Sequence, residues 1–190
     1  MCNSFSFVPS SPCWCPVSRL SFVERMLPAL VEQPPERSDW VHEVKHDGYR
    51  TQLIVQTGRA KAFTRRGFDW SEKYRPIVAA AAELPARSAI LDGEMIMPTA
   101  SGSSDFQTFR RAIRGRPDAL AFVACDLLRL DGGPSAAAVA RAKGSTGRLV
   151  APAAGAIQYV EHVACDGMAF HQSVGLSEGW GRLCRLDPEP

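Results

Sequence analysis

Residues 40–57, WVHEVKHDGYRTQLIVQT, constrain the fold more than any other stretch of the chain. β-Branched and aromatic residues dominate it, so it reads as extended chain, and Asp47-Gly48 divides it with a turn signal. A strand–turn–strand of this length needs sheet partners. Candidate partners follow along the chain. Gly58 supplies a second turn and residues 61–64 a return strand, while residues 88–97 and 157–163 read as strands and 119–128 is an apolar run of strand length. Between them Tyr74, Ile77, Val78, Ala81 and Leu84 fall at helical spacing, with Pro76 tolerated in a first turn. Asp105 stands where it can cap a short helix that buries Phe106, Phe109 and Ile113. The pattern predicts an α+β fold, antiparallel sheets flanked by helices.

Composition narrows the class. With 190 residues, 45% of them apolar and 22% charged, the chain suits one domain or two small ones and excludes collagen, coiled coil and a wholly disordered chain. No stretch approaches the roughly 18 unbroken apolar residues of a membrane span. The net charge of +2 conceals local excesses. Residues 59–75 carry six cations against two acids, and residues 106–117 carry Arg110, Arg111, Arg114 and Arg116 with no acid. Such clusters are solvated faces or contacts to a nucleic-acid backbone. Cys2, Cys13, Cys15, Cys125, Cys165 and Cys184 show no C-x-x-C spacing and no histidine set for zinc, which fits structural thiols in a reducing cytosol. His46 and His162 receive no metal role.

The ends and one interior stretch lack patterning. Pro9, Pro12 and Pro16 deny residues 1–21 helix or central strand, and no basic region opens them, so they read as a disordered extension rather than a secretory signal. Residues 132–148, GGPSAAAVARAKGSTGR, read as an irregular insert with at most a weak helix over 136–143. Residues 178–190 are similarly unpatterned.

Chemistry concentrates at residues 43–50, EVKHDGYR. Lys45 can serve as an amine nucleophile where neighbouring cations or burial lower its pKa. Asp47 can hold a metal or steer a hydroxyl, Gly48 allows close approach of backbone to a ligand, and Arg50 can clamp phosphate. From spacing alone, a charged hairpin turn with a surface salt bridge is the simpler explanation of the same residues.

The wider text resembles one family closely. Lys45-x-Asp47-Gly48-x-Arg50 matches the nucleotidyltransferase signature of ATP-dependent DNA ligases and mRNA capping enzymes. The flanking segments at residues 22–28, 40–50, 63–70, 90–94, 126–132 and 157–162 resemble the ligase domain of bacterial end-joining ligases of the ligase D type. The resemblance implies an ATP-grasp-like adenylation domain, incomplete here, spanning residues 22–179 with 180–190 outside the family. By that resemblance Lys45 attacks the α-phosphorus of ATP, Asp47 serves the later DNA steps, and Glu43 stands at the adenine end. Arg50 and Arg65 match positions that contact nucleotide or nick phosphate. Glu94, in Asp92-Gly93-Glu94, matches a contact to ribose or metal. Phe122 resembles the aromatic that stacks on adenine, with buried core phenylalanine as the competing reading, and Cys125 replaces the usual aromatic before Asp126. ATP and Mg²⁺ follow as cofactors, the metal held by ATP phosphates with Glu94 and Glu178. Nicked or broken double-stranded DNA follows as partner, with separate end-joining proteins, no membrane, a monomeric state and a bacterial cytosolic location.

Departures from the family set a second expectation. Where its fourth motif reads Glu-Gly-x-Val-x-Lys, this chain reads Glu178-Gly179-Trp180-Gly181-Arg182-Leu183. The Lys-x-Lys strand and the oligonucleotide-binding barrel expected after it do not follow, so adenylation is expected to be impaired. Segments 132–148 and 180–190 are rich in Gly, Ala, Arg or Pro, as out-of-frame reading of a GC-rich gene would produce. The alternatives are a non-catalytic remnant that still binds nucleotide or DNA, and a capping-type or RNA-ligase nucleotidyltransferase, which fits the flanking text less well.

Overall fold

The strand signals resolve into two sheets. The structure, a computed structural model, describes residues 19–24, 40–44, 46, 48–98, 106–134, 139–153, 155–163, 169 and 181–185. Its strands are β1 (Trp40–Val44), β2 (Tyr49–Gln56), β3 (Arg59–Thr64), β4 (Ser88–Ile96), β5 (Ala121–Leu130), β6 (Gly133–Pro134), β7 (Ile157–Tyr159) and β8 (Gly181–Arg185). The helices are α1 (Arg75–Ala82), α2 (Phe106–Gly115) and α3 (Val139–Val150). Six strands form the main sheet in the order β3-β2-β4-β5-β6, with β7 also beside β5, while β1 and β8 form a two-stranded sheet.

Turn chemistry sets the main sheet's order. Thr57 and Gly58, both at positive φ, close the β2–β3 hairpin in the way two-residue hairpin turns require. The carboxylate of Asp131 accepts from the backbone N–H groups of Arg87 and Ser88 at 2.8 and 3.0 Å, and Asp131 N–H donates to the Ser88 carbonyl at 2.8 Å. That clasp ties the start of β4 to the end of β5. Gly93 sits mid-strand because a Cβ there would lie 2.1 Å from the Val123 carbonyl oxygen and 2.7 Å from Cζ of Phe122.

Alternation along the strands separates two faces. Leu53 and Val55 of β2, Leu91 and Met95 of β4, and Phe122 and Ala124 of β5 point to one side. There they join Tyr74, Ile77 and Ala81 of the α1 region and Phe109 and Ala112 of α2 in one buried cluster. Each fully buried large side chain there contributes about 1.5–3 kcal/mol through removal from water. The opposite face carries Arg50, Gln52, Asp92, Glu94 and Val123, as the cross-strand pairs Arg50–Glu94, Gln52–Asp92 and Glu94–Val123 require.

Several expectations need correction. Residues 40–44 and 49–56 do not pair as a hairpin: β1 pairs antiparallel with β8, and β2 pairs with β3 and β4. β7 runs parallel to β5, because α3 lies between them as a crossover, the connection that parallel neighbours need. The stretch read as an irregular insert forms α3 at Val139–Val150 rather than a weak helix at 136–143. Thr146, Leu149 and Val150 are buried there, and a Cβ at Gly147 would meet the Tyr159 ring at 3.3 Å. Packing therefore holds a helix that its glycines disfavour. The extension read as disordered through residue 21 is already docked at Leu20, whose N–H donates to Gln56 Oε1 at 3.1 Å. Val23 N–H donates likewise to Gln52 Oε1 at 2.9 Å. Residues 181–185, read as unpatterned, form β8.

Candidate functional site

Two acids two residues apart on a strand point to the same face. Asp92 and Glu94 do so on β4, with Gly93 between them turned toward Phe122 in the core. Arg50 lies directly across from Glu94 on β2. Its guanidinium donates to Asp92 through Nε at 3.1 Å, and a terminal nitrogen forms an ion pair with the same oxygen, Oδ2. Asp92 is 2% exposed and Arg50 22%, so water screens this pair weakly. Asp126 on β5 is the register partner of Asp92. Beyond the charged group on this face lies a small apolar cluster of Ile96, Ala121, Val123 and Val160.

The turn leading into β2 completes the outline. Gly48 was expected to admit a ligand; instead a Cβ there would fall 2.3 Å from the Met95 carbonyl oxygen. The glycine thus brings the motif's backbone against β4, next to Glu94. His46 is half-buried, and burial holds its imidazole below the usual pKa of 6.5, favouring the neutral form. Lys45 and Asp47, the two residues expected to carry the chemistry, lie outside the described residues, as does Glu178.

The remaining candidates separate. Glu43 is buried on β1 after Val41 and His42, which are buried too, and before the exposed Val44. β1 is tied to the chain following β7 by the exchange of backbone hydrogen bonds between His42 and Val163, at 3.0 and 2.9 Å. Arg65 is exposed in the turn after β3, whose last residue, Thr64, pairs with Thr51 at the same end of the sheet as Arg50. Phe122 does not join this group. Its strand partner Met95 and its contact with Gly93 put it on the helix-covered face, 0% exposed, opposite Glu94 and Arg50. Its place is that of core phenylalanine, which removes the structural basis for adenine stacking.

Asp92 is the residue that motif reading undervalued. Its signal was present in the i, i+2 spacing with Glu94, which on a strand places both carboxylates beside Arg50. Among the described residues no three His, Cys, Asp or Glu side chains stand together as a metal site. Magnesium at nucleotide phosphates needs only one or two carboxylates from the protein, and Glu94 stands on this face as one candidate.

Comparison with known proteins gives this arrangement a context. Residues 23–164 match the family model described as ATP dependent DNA ligase domain. The multifunctional non-homologous end joining protein LigD of Pseudomonas aeruginosa is 38% identical over 102 residues, covering 53% of this chain and 12% of that protein. The multifunctional non-homologous end joining DNA repair protein LigD of Mycobacterium tuberculosis is 36% identical over 95 residues, or 50% of this chain and 12% of the relative. Each match thus spans about an eighth of its relative's length. Among solved structures, the ligase domain from M. tuberculosis LigD superposes with a TM-score of 0.66 at 27% identity, covering 81% of this chain and 51% of that one. A mycobacterial DNA ligase D complexed with ATP and MES gives 0.64 at 26% identity, covering 81% of this chain and 50% of that one.

Proposed function

The chain belongs to the ATP-dependent DNA ligase domain family, and from that membership we propose that it is a partial adenylation domain of the end-joining type, using ATP to activate broken or nicked duplex DNA for sealing. The observation that carries the reading is the convergence of Arg50, Asp92 and Glu94 on one sheet face, at the strand end that follows the Lys45 motif.

The proposed chemistry starts at Lys45. Its amine, once deprotonated, attacks the α-phosphorus of ATP; a phosphorus–nitrogen bond forms, the α,β-phosphoanhydride bond breaks, and pyrophosphate leaves. Arginine cannot substitute, because its guanidinium does not lose a proton in this range. Arg50 is held by Asp92 through Nε and one terminal nitrogen, which leaves its other terminal nitrogen as a donor for phosphate. Arg65, exposed at the same sheet end, suits nucleotide or nick phosphate. Glu94 faces the site for ribose, Glu43 is assigned to the adenine end, and Asp47 to the DNA steps. Mg²⁺ would be held by the ATP phosphates with Glu94 and Glu178, and would supply charge neutralisation at the phosphates. The domain bounds 22–179, the DNA substrate, a bacterial cytosolic location, a monomeric state and separate end-joining partners belong to the same proposal. No helix among the described residues is long and apolar enough to cross a membrane.

A second reading rests on Leu183. It occupies the position where the family motif has lysine, on β8 opposite His42, so a phosphate contact worth about 1.5–3 kcal/mol is lost. A chain lacking it can bind nucleotide without transferring AMP. Intact mass after incubation with ATP and Mg²⁺ separates the two. An AMP-sized increase, absent in Lys45→Ala, is expected for the enzyme; saturable ATP binding without any mass increase would replace it with the binding remnant.

A further inference from the structure

Tyr49 and Arg50 are neighbours in β2 and turn to opposite faces of the sheet. Arg50 joins the acids, whereas Tyr49 lines a groove of about 760 Å³ between α2 and the turn at residues 70–73. Trp70 and Lys73 form one wall of that groove, and Arg110, Arg111 and Arg114 the other. No Asp or Glu lines it among the described residues. The nearest acids on the turn side are already engaged, Asp69 with Lys61 and Glu72 with Arg75.

The cations are arranged rather than scattered. Phe109 and Ala112 are buried against the core, so Arg110, Arg111 and Arg114, at i+3, i+4 and i+7 relative to Gln107, lie along the outward stripe of α2. All three are exposed, and none has an ion pair or hydrogen bond among the described residues. Lys73 Nζ lies 3.6 Å from the centre of the Trp70 ring, a cation–π contact that orients the ammonium group. Trp70 is fixed in turn by Tyr49 and Tyr74, with ring centres at 6.0 and 5.9 Å. From Gln107 to Arg114 the helix rises about 10 Å, an axial length over which one strand of B-DNA carries about three phosphates.

We infer that this groove is a second phosphodiester track, which takes the backbone of duplex DNA beyond the strand break. The inference rests on the ligase reading, and it extends the DNA path around the N-terminal end of β2 from the acid face to the helix face. The repeat of phosphate along a polyanion matches three unpaired guanidinium groups in a row better than a single small anion would. Arginine supplies the fork geometry for phosphate oxygens, and Lys73 faces the row from the opposite wall.

The test compares the whole chain with R110Q/R111Q/R114Q, and with R110K/R111K/R114K as the charge-retaining control, for binding to a nicked DNA duplex over a range of salt. These side chains are exposed, so both variants are expected to keep wild-type helicity. Each phosphate neutralised contributes about 0.9 to the slope of log affinity against log salt. The glutamine variant is therefore expected to lose roughly 2–3 from that slope, with the lysine variant close to wild type. AMP adduct formation on Lys45, followed in the same samples, is expected to be equal in all three; its absence from all would count against the ligase reading while leaving the DNA slopes to judge the groove. An unchanged slope in the glutamine variant would overturn the inference. So would a wild type that binds no duplex.

Discussion

The two faces of the main sheet are built from the same strands and differ in what alternate residues do. On the helix-covered face, Leu53, Leu91, Met95 and Phe122 are removed from water and interdigitate with α1 and α2. On the other, Arg50, Asp92 and Glu94 stand at register-matched positions of β2 and β4. The contrast shows how a site is held still: residues bearing charge are placed by neighbours one position away that are locked in the core. Gly93 is the clearest case, because its missing side chain admits Phe122 on one face while Asp92 and Glu94 project from the other.

The sharpest way to break that comparison is to hollow the core face. Phe122→Ala is expected to lose about 3–5 kcal/mol of stability, read by chemical denaturation, and a cost below 1 kcal/mol would mean that the ring is not packed as described. Next in size is Gly93→Ala, whose methyl group meets the Val123 carbonyl oxygen at 2.1 Å. A loss of about 2–3 kcal/mol is expected from this overpacking, together with displacement of both flanking acids. Arg50→Gln should cost less, about 1–2 kcal/mol, because it leaves the buried Asp92 carboxylate short of one donor while other contacts remain. Asp92→Asn in the same background should then add little, and full additivity of the two in a double-mutant cycle would argue against their coupling.

The smallest effect lies in the turn that carries Trp70. The Ser71 hydroxyl and then Lys61 hold the Asp69 carboxyl at about 2, below its ordinary 3.8. A carboxyl depressed in the folded state contributes stability that is present above the unfolded value and lost as pH falls through the folded one. Stability should therefore decline from pH 4 toward 2 in the wild type more than in Asp69→Asn. The pair is exposed, with Asp69 at 41% and Lys61 at 64%, so screening keeps the difference below about 1 kcal/mol.

What the sequence made legible follows this division. Strand alternation and helical spacing place β2 to β5, α1 and α2 within a few residues, because in those segments local pattern and tertiary burial agree. The motif residues Arg50 and Glu94 come out opposite each other for the same reason. Phe122 shows where reading stops: whether an aromatic on a strand faces the core or the site depends on register with Met95 and Gly93 across β4 and β5, and one chain read in order does not display it. The partner of β1 was hidden because β8 lies far along the chain, and the tempting neighbour across Asp47-Gly48 was β2. α3 was hidden because Gly144 and Gly147 lower its helical propensity, while the compensating contact with Tyr159 is long-range.

The most direct test of the claim that the acid face, and not the helix-covered face, handles nucleotide is the rate of AMP incorporation from ATP in Glu94→Gln and Phe122→Leu, each corrected for its folded fraction. The structure predicts a fall on the order of 10²-fold for Glu94→Gln and a rate within a few-fold of wild type for Phe122→Leu. Undiminished labelling of Glu94→Gln alongside loss in folded Phe122→Leu would contradict it.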